Sequence, residues 1–594
     1  MTDTARNGYL ITKALHTFMW ASILSSAAQM LSTLIDAVVV SNLIGPDAIS
    51  AVNMSVPVLA LISCFGILIG VGGSIVAAKA MGLRNTEGAN RVFSISLKAT
   101  LAIGLIISVA GYLLAPRIVS LICPADSRLF PLASGYLKVI LTGMVFMLGN
   151  YCLQYFVKTD GNPRLVMRVV VIGCIVNLAF DIIFIRFFHM GIEGSAWASV
   201  LSYLVPFVIC LLHFRSPRCS LRFNFRQKDE GPDKDKYGMG AILREGAPLS
   251  VNALLLSVSI FLFNTIVMHV AGDDGMYLWS LCMQLFTILQ LVLGGISTSI
   301  YAIGGLLAGE RDMEGLAFLT RRVLCYVCAV LAVVMAVIMI FPGSLAAIFG
   351  SGQLSNHATL DIATPIRIYA LLLVPYAIVA VLRSLYQIIG FRGMSMILSI
   401  TQLLAMVLCV WLLALADPGM LWWGFPLSAA ILLSATILFS WRKHSRQPQL
   451  ALVTLIPRDT GAKSLSISVR LTKEDAASAM NGIKSFLKES GVSESTVFNV
   501  RLCCEELLYN IIEYAVEKYP EKHFADIHIR ITGPQVSVLL KDDGRPFNPV
   551  FKKSGQDIDY EHLGLLLVNG QSSSINYKYM YDQNMVFLTF QSNR

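Results

Sequence analysis

The chain has 594 residues, 55% of them hydrophobic and only 14% charged, against roughly 25% charged in a soluble protein. Such a length and such a deficit exclude a single water-facing domain. The formal net charge of +9 does not point to nucleic acid, because the basic residues gather at the ends of apolar blocks, and no nucleic-acid partner is expected.

From Tyr9 to Trp441 apolar blocks alternate with short polar breaks. A spanning helix needs about 20 mainly apolar residues, and about twelve blocks meet that length. They centre near Ser26, Ala60, Ile106, Phe146, Ile175 and Val205, then Leu256, Leu291, Val333, Tyr376, Leu404 and Ile431. Residues 1–8 are polar and no small-residue cleavage site follows, so the first span is expected to remain as an uncleaved anchor.

Lys79, Arg84, Arg91 and Lys98 flank the break after the second span, and Lys158, Arg164 and Arg168 follow the fourth. Arg215, Arg218, Arg222 and Arg226 follow the sixth; Arg311, Arg321 and Arg322 the eighth; Arg392 the tenth; Arg442, Lys443 and Arg446 the twelfth. The alternate breaks hold Asp47, Asp273, Asp274 and Asp417 instead. This asymmetry predicts a multi-pass protein of the cell (inner) membrane with both termini cytoplasmic. The pair Cys325-x-x-Cys328 lies inside an apolar helix and is assigned to packing, with no redox role.

Asp36 and Asp181 stand alone inside long apolar stretches, with no Lys or Arg nearby in sequence. A carboxylate at bilayer depth costs several kcal/mol unless it faces a wet cavity, binds a cation or takes up a proton. Asn177 and Asp181 are spaced i, i+4 and share a helical face. With Asp36 from another helix they form a hard-oxygen site suited to Na⁺ or H⁺, to which Ser199 adds a hydroxyl. The alternative for Asn177 and Ser199 is plain interhelical hydrogen bonding.

The chain also repeats itself. Gly82-Leu-Arg84 through Gly88 aligns with Gly309-Glu-Arg311 through Gly315 at an offset of about 227, and Thr159-Asp-Gly161 aligns with Ile388-Ile-Gly390. Two parallel six-span bundles facing a central cleft follow. The offset carries Asp36 onto Asn264 and Asp181 onto Val410, so a cation site belongs in the first bundle, and no acid is expected well inside the second-half spans. Gln154, Tyr155, Asn252, Gln284, Tyr301 and Gln387 are weak candidates for lining a substrate cleft, with helix–helix hydrogen bonding as the alternative.

Asp36 with Gly45 and Ala51, Asn177-x-x-x-Asp181, Gly191-Ile-Glu-Gly194-Ser-Ala196 and the repeated Gly-x-x-x-x-Glu-Gly breaks resemble the multidrug and toxic compound extrusion (MATE) family across about residues 10 to 440. The resemblance implies a V-shaped pair of six-helix bundles exporting small organic, often cationic, compounds against H⁺ or Na⁺. It implies a coupling site at Asp36, Asn177 and Asp181, as in the branch that relies on the first bundle alone. With both carboxyls ionised, mutual repulsion would destabilise the occluded bundle, and a cation would relieve it.

From about Lys463 the pattern becomes that of a soluble domain. SLSISVRL, FADIHIRIT, QVSVLLKD, SINYKYMY and NMVFLTF alternate like strands, helices are expected over Glu474–Glu489, Glu494–Glu517 and Leu563–Asn569, and the sum is an α+β sandwich on a mixed sheet. Glu506 and Asn510 lie one turn apart, Asp542-Asp-Gly544 forms a strand-end turn, and His562-Leu-Gly564 opens a short helix.

In that order these motifs resemble the ATP-binding domain of the GHKL group, most closely the anti-sigma-factor serine kinases. The resemblance implies Asn510 for Mg²⁺, Glu506 as general base, Asp542 for the adenine amino group, and Gly544 and Gly564 beside base and phosphates. It also implies an anti-anti-sigma-like protein as partner. His562 and Tyr514 depart from the pattern, which carries a glycine before Leu563 and a histidine four residues after the Asn. No G-x-x-x-x-G-K-[ST] loop is present in the tail, so ATP is expected to regulate rather than drive, and the basic linker is expected at the anionic inner leaflet. The division expected is 1–228 and 229–445 for the bundles, 446–462 for a linker and 463–594 for the tail. The competing expectation is a membrane ligand sensor that signals through a serine/threonine kinase-like tail.

Overall fold

The computed structural model describes residues 7–44, 46–120, 129–216, 219–224, 234–342, 361–457, 463–515, 522–550 and 563–592. Gly45, Arg218, Arg226, Glu517 and His562, named above, lie outside them. The first bundle comprises α1 (Tyr9–Leu43), α2 (Pro46–Gly82), α3 (Thr86–Ser120), α4 (Leu129–Thr142), α5 (Met144–Thr159), α6 (Pro163–Ile182) and α7 (Gly191–His213). A short α8 (Lys234–Tyr237) leads to the second bundle. That holds α9 (Met239–Ser299), α10 (Gly305–Glu310), α11 (Met313–Ile340), α12 (Ala363–Ala370), α13 (Leu373–Ile388), α14 (Arg392–Ala416) and α15 (Gly424–Arg446).

Among the described residues ten helices are long and apolar enough to cross a membrane, and α4 with α5, bent by 51°, makes an eleventh. The 35-residue α1 is the remaining long helix of the expected dozen. α9 contains two spans, because Gly272 breaks it with φ 60°.

The repeat is written in the backbone. Arg84 and Arg311 both take positive φ (63° and 58°), as do Gly161 and Gly390 (93° and 99°). The halves meet through their glycines. A Cβ at Gly72 would overlap the Ile242 carbonyl oxygen, one at Gly246 the Leu68 carbonyl, and one at Gly82 or Gly309 the backbone of the opposite half. Small residues allow this approach where lipid supplies no hydrophobic drive. Lys79 of α2 and Arg392 of α14 both reach Glu245 of α9 at 2.7 Å. This seam closes the end of the bundles that faces the tail.

The tail is an α+β sandwich of β1 (Lys463–Arg470), α16 (Lys473–Glu489), α17 (Glu494–Asn510), β2 (Phe524–Thr532), β3 (Gln535–Asp542), α18 (Leu563–Gln571), β4 (Ser574–Met580) and β5 (Gln583–Gln591). The expected mixed sheet is corrected: the order is β1-β2-β3-β5-β4 and every described pairing is antiparallel. The hairpin return places β5 between β3 and β4, so the two strands joined through α18 never pair.

Strand alternation gives the sheet two working faces. Ile527, Ile529, Val538, Leu540, Val586 and Leu588 pack under the tail's own helices. The opposite residues Leu539, Met580, Met585 and Phe587 join the core of the bundles. The tail therefore rests on the membrane part. Tyr581, at the turn between β4 and β5, is 3% exposed, and its hydroxyl donates to Thr159 O of the first half (3.1 Å) and Ala302 O of the second (3.5 Å). Its ring meets Phe18 of α1 edge-on.

Candidate functional site

α1 packs along α6, which brings Asp36 and Asp181 together: the two carboxyls interact directly. Asp181 is fully buried. Both of its oxygens, and Asp36 Oδ1, are enclosed without a hydrogen-bond donor. An orphaned buried acceptor pays its full desolvation cost, and two side by side add repulsion. The donor set thus fits a small hard cation or a shared proton. A π-helical turn, Ile183–Phe187, begins two residues after Asp181, the kind of local irregularity that gathers at working sites.

Asp36, but not the fully buried Asp181, borders a cavity of about 250 Å³ whose walls include Gln29, Tyr136, Asn177, Ser199 and Tyr203. Asn177 Nδ2 donates to Ser199 Oγ at 3.4 Å, so these two candidates meet each other. Ser195, one turn before Ser199, is buried and interacts with Asp181. The sequence reading chose Ser199 and missed Ser195, although both lie in the run GSAWAS. Tyr136, also missed, interacts with Ser199 and Asp36 across the cavity.

The second bundle offers no such site among its described residues. Val410 is fully buried and touches Gly424, and Asn264 accepts from Trp279 Nε1 at 2.6 Å. Phe263, Trp279, Tyr369 and Phe425 form an aromatic cluster bordering a void of only about 30 Å³. Glu245, near the start of α9, is 1% exposed and tied to Lys79 and Arg392, so it is a buried but paired acid.

The cleft candidates divide. Gln154 lines the first-bundle cavity and donates to Asn150 Oδ1 at 3.0 Å. Tyr155 packs against Gly70 of α2. Tyr301 donates to Gln387 Oε1 (3.4 Å), Gln387 donates to Glu245 O, and Asn252 accepts from Arg383. These last form an interhelical network rather than an open wall. Gln284 is partly buried on α9.

In the tail, Asp542 is 1% exposed, and its Oδ1 accepts from Asn584 Nδ2 (2.8 Å) and Gly544 N (2.9 Å). Burial pushes its carboxyl up to about 6. Asn584, which the sequence reading missed, also accepts from Tyr577 Oη and Phe547 N. With Oδ1 filled, Oδ2 is the oxygen left for an amino donor, and this end of the site fits adenine. Gly544 packs on Ala515, where a Cβ would come within 2.8 Å of another.

At the other end Asn510 Nδ2 donates to Glu506 O at 2.7 Å, and Glu506 Oε2 lies where a Cβ on Gly564 would stand. Glu506, Asn510 and Gly564 are thus in one place.

The family model MatE matches residues 21–183 and again 248–411. The chain belongs to the MatE family. The model for the histidine kinase-like ATPase domain matches residues 469–590, so the protein is a MATE-type membrane part fused to a tail of that class. The two MatE matches coincide with the two halves related by the backbone repeat.

The probable multidrug resistance protein YoeA of Bacillus subtilis is 26% identical over 308 residues, 51% of this chain and 66% of that protein, just under two thirds of its length. The multidrug export protein MepA of Staphylococcus haemolyticus is 22% identical over 343 residues, 57% of this chain and 74% of that protein. Among solved structures, a MATE in complex with MaL6 superposes with TM-score 0.68 at 23% identity, covering 75% of this chain and 99% of that one. The outward-facing conformation of a multidrug resistance MATE family transporter gives 0.67 at 24% identity over the same shares. These two likenesses establish the fold of the MATE part.

Proposed function

We propose that this MatE-family protein exports small organic compounds across the inner membrane in exchange for H⁺ or Na⁺, and that its tail is an ATP-binding brake on that exchange. The supporting observation is the Asp36–Asp181 pair, with both Asp181 oxygens and Asp36 Oδ1 enclosed without donors and Asp36 beside a polar cavity in the first bundle, while the second bundle fills the matching space with Val410 and aromatic rings. The names of the relatives, multidrug export among them, accord with this reading.

The chemistry is electrostatic. With neither Asp181 oxygen nor Asp36 Oδ1 receiving a hydrogen bond, the pair is costly while ionised in low dielectric, and a bound cation removes the repulsion. Asp36 belongs to α1 and Asp181 to α6, so occupancy draws the two helices together and vacancy loosens them. Substrate release outward is assigned to the drawn-together state. Asn177 and Ser199 hold the cavity wall, and the organic cargo occupies the space beside them.

The tail acts through α1. Asp543, next to the adenine-facing Asp542, bonds Lys13 Nζ at 2.7 Å, and Gln583 Nε2 donates to Leu10 O at 2.7 Å. The helix carrying Asp36 therefore begins on the tail beside the nucleotide site. Both termini are assigned to the cytoplasm, because Lys79, Arg164, Arg311 and Arg392 lie at the tail-facing end.

The test is dye-cation efflux from liposomes containing the full chain, with proton and sodium gradients imposed separately. One gradient should drive flux, and Asp36→Asn should abolish it while inserting normally. Undiminished gradient-driven flux by Asp36→Asn overturns the reading.

A further inference from the structure

The sheet face that meets the bundles does not close flush. It leaves a cavity of about 460 Å³ between β2, β3 and β5 on one side and the ends of α2 and α10 on the other, within the roughly 300–1,000 Å³ of small-molecule sites. Three guanidinium groups from three separate units line it: Arg84 after α2, Arg311 after α10 and Arg530 of β2. His528 stands beside Arg530 on the same strand face, and Ser537, Ser574 and Thr589 add hydroxyls.

Among the described lining residues the single acid is Glu310, and Lys541 neutralises it at 2.7 Å. Among the described residues neither Arg84 nor Arg311 is in an ion pair, so positive charge from both halves faces the space. Arg84 and Arg311 occupy equivalent places in the two halves, both at positive φ, a conformation unfavourable for a side-chain-bearing residue. Arg84 is also pinned over the Phe587 ring at 4.8 Å. Gathering like charges between docked domains is costly unless an anion joins them, and guanidinium forks match phosphate oxygens two at a time.

We propose that this cavity binds a small polyanion carrying two or more phosphates, gripped at once by Arg84, Arg311 and Arg530. Such a ligand contacts both bundles and the tail together, so it binds only the docked arrangement and stabilises it by mass action. The site is separate from Asp542 and Asn510, and it stands whether or not adenine nucleotide binds there.

The test is calorimetric titration of the lipid-stripped full chain in detergent with sodium tripolyphosphate, and in a parallel arm with tetraoctanoyl cardiolipin, whose headgroup carries two phosphates. Binding in the first arm assigns the site to a soluble polyphosphate; binding in the second alone assigns it to a lipid headgroup. Arg530→Gln and Arg311→Gln should each weaken binding about tenfold, as expected for one lost charge-assisted contact. Arg442→Gln, exposed on α15, should leave it unchanged. The two sensitive variants lie in different units, so misfolding of one leaves the other informative. Binding in neither arm, or equal weakening by Arg442→Gln, overturns the proposal.

Discussion

Lys541 of β3 and Glu310 at the end of α10 lie 2.7 Å apart, with side chains only 7% and 2% exposed. A pair buried this deeply ties the tail to the second bundle, and its worth depends on neither partner being left alone. Lys541→Met removes the charge 2.7 Å from the buried Glu310 carboxylate and should cost about 3 kcal/mol. The linker should then become open to protease, and thermal unfolding of the detergent-solubilised chain should begin earlier. Adding Glu310→Leu to Lys541→Met should recover most of the loss, which a double-mutant cycle measures.

Asp542 gives a pH signature. Its folded-state value of about 6 lies above the ordinary 3.8, chiefly through burial. The folded tail therefore holds the proton more tightly than the unfolded chain. That stability is fully present below about pH 4 and fades as pH rises through about 6, by roughly 3 kcal/mol in all. Asp542→Asn removes the titration, so the variant should gain on the wild type between pH 4 and 7 in thermal melts, while losing affinity for adenine nucleotide.

Ser195 and Ser199 differ by one turn of α7 but face different partners. Ser195 interacts with Asp181, and Ser199 receives Asn177. Ser195→Ala should raise the coupling-ion concentration for half-maximal flux several-fold, consistent with the loss of about 1 kcal/mol from one hydroxyl dipole beside the carboxyl. Ser199→Ala should change it less. Flux against ion concentration distinguishes them.

The parts legible in the sequence are those with a strong local cost or period. Asp36 and Asp181 stood out because lone carboxylates in apolar runs are expensive. β2 and β3 were readable to the residue because Ile527, Ile529, Val538 and Leu540 repeat every second position. The docking face was not legible. Leu539, Met585 and Phe587 sit on the positions that alternation assigns to solvent, and only the docked bundles explain them. Glu245 escaped notice for the opposite reason: close to basic residues at a span end, it reads as surface, yet long-range partners Lys79 and Arg392 bury it. The antiparallel sheet was missed because no local pattern reveals that β5 returns between β3 and β4.

The Gly72–Gly246 crossing sets how closely the halves approach. A methyl group at Gly246 would overlap the Leu68 carbonyl, and backbone, unlike a flexible side chain, does not yield cheaply. Gly246→Ala should force the tail-facing ends apart. Spin labels on α2 and α9 should report a longer distance in that variant than in the wild type.

Tyr581 tests the brake. Its turn is wedged between Thr159 of one half and Ala302 of the other, and Gly161 leaves room for it: a Cβ there would lie 2.8 Å from Tyr581 N. Export requires the tail-facing ends to separate at some point in the cycle, and this wedge holds both. Tyr581→Ala removes two hydrogen bonds and the ring contact with Phe18, a loss of about 3 kcal/mol for a buried aromatic. If the tail restrains transport, gradient-driven flux in liposomes should rise several-fold in Tyr581→Ala and lose its response to ATP. A fall in flux with normal insertion would instead make the docked tail a required part of the transporter.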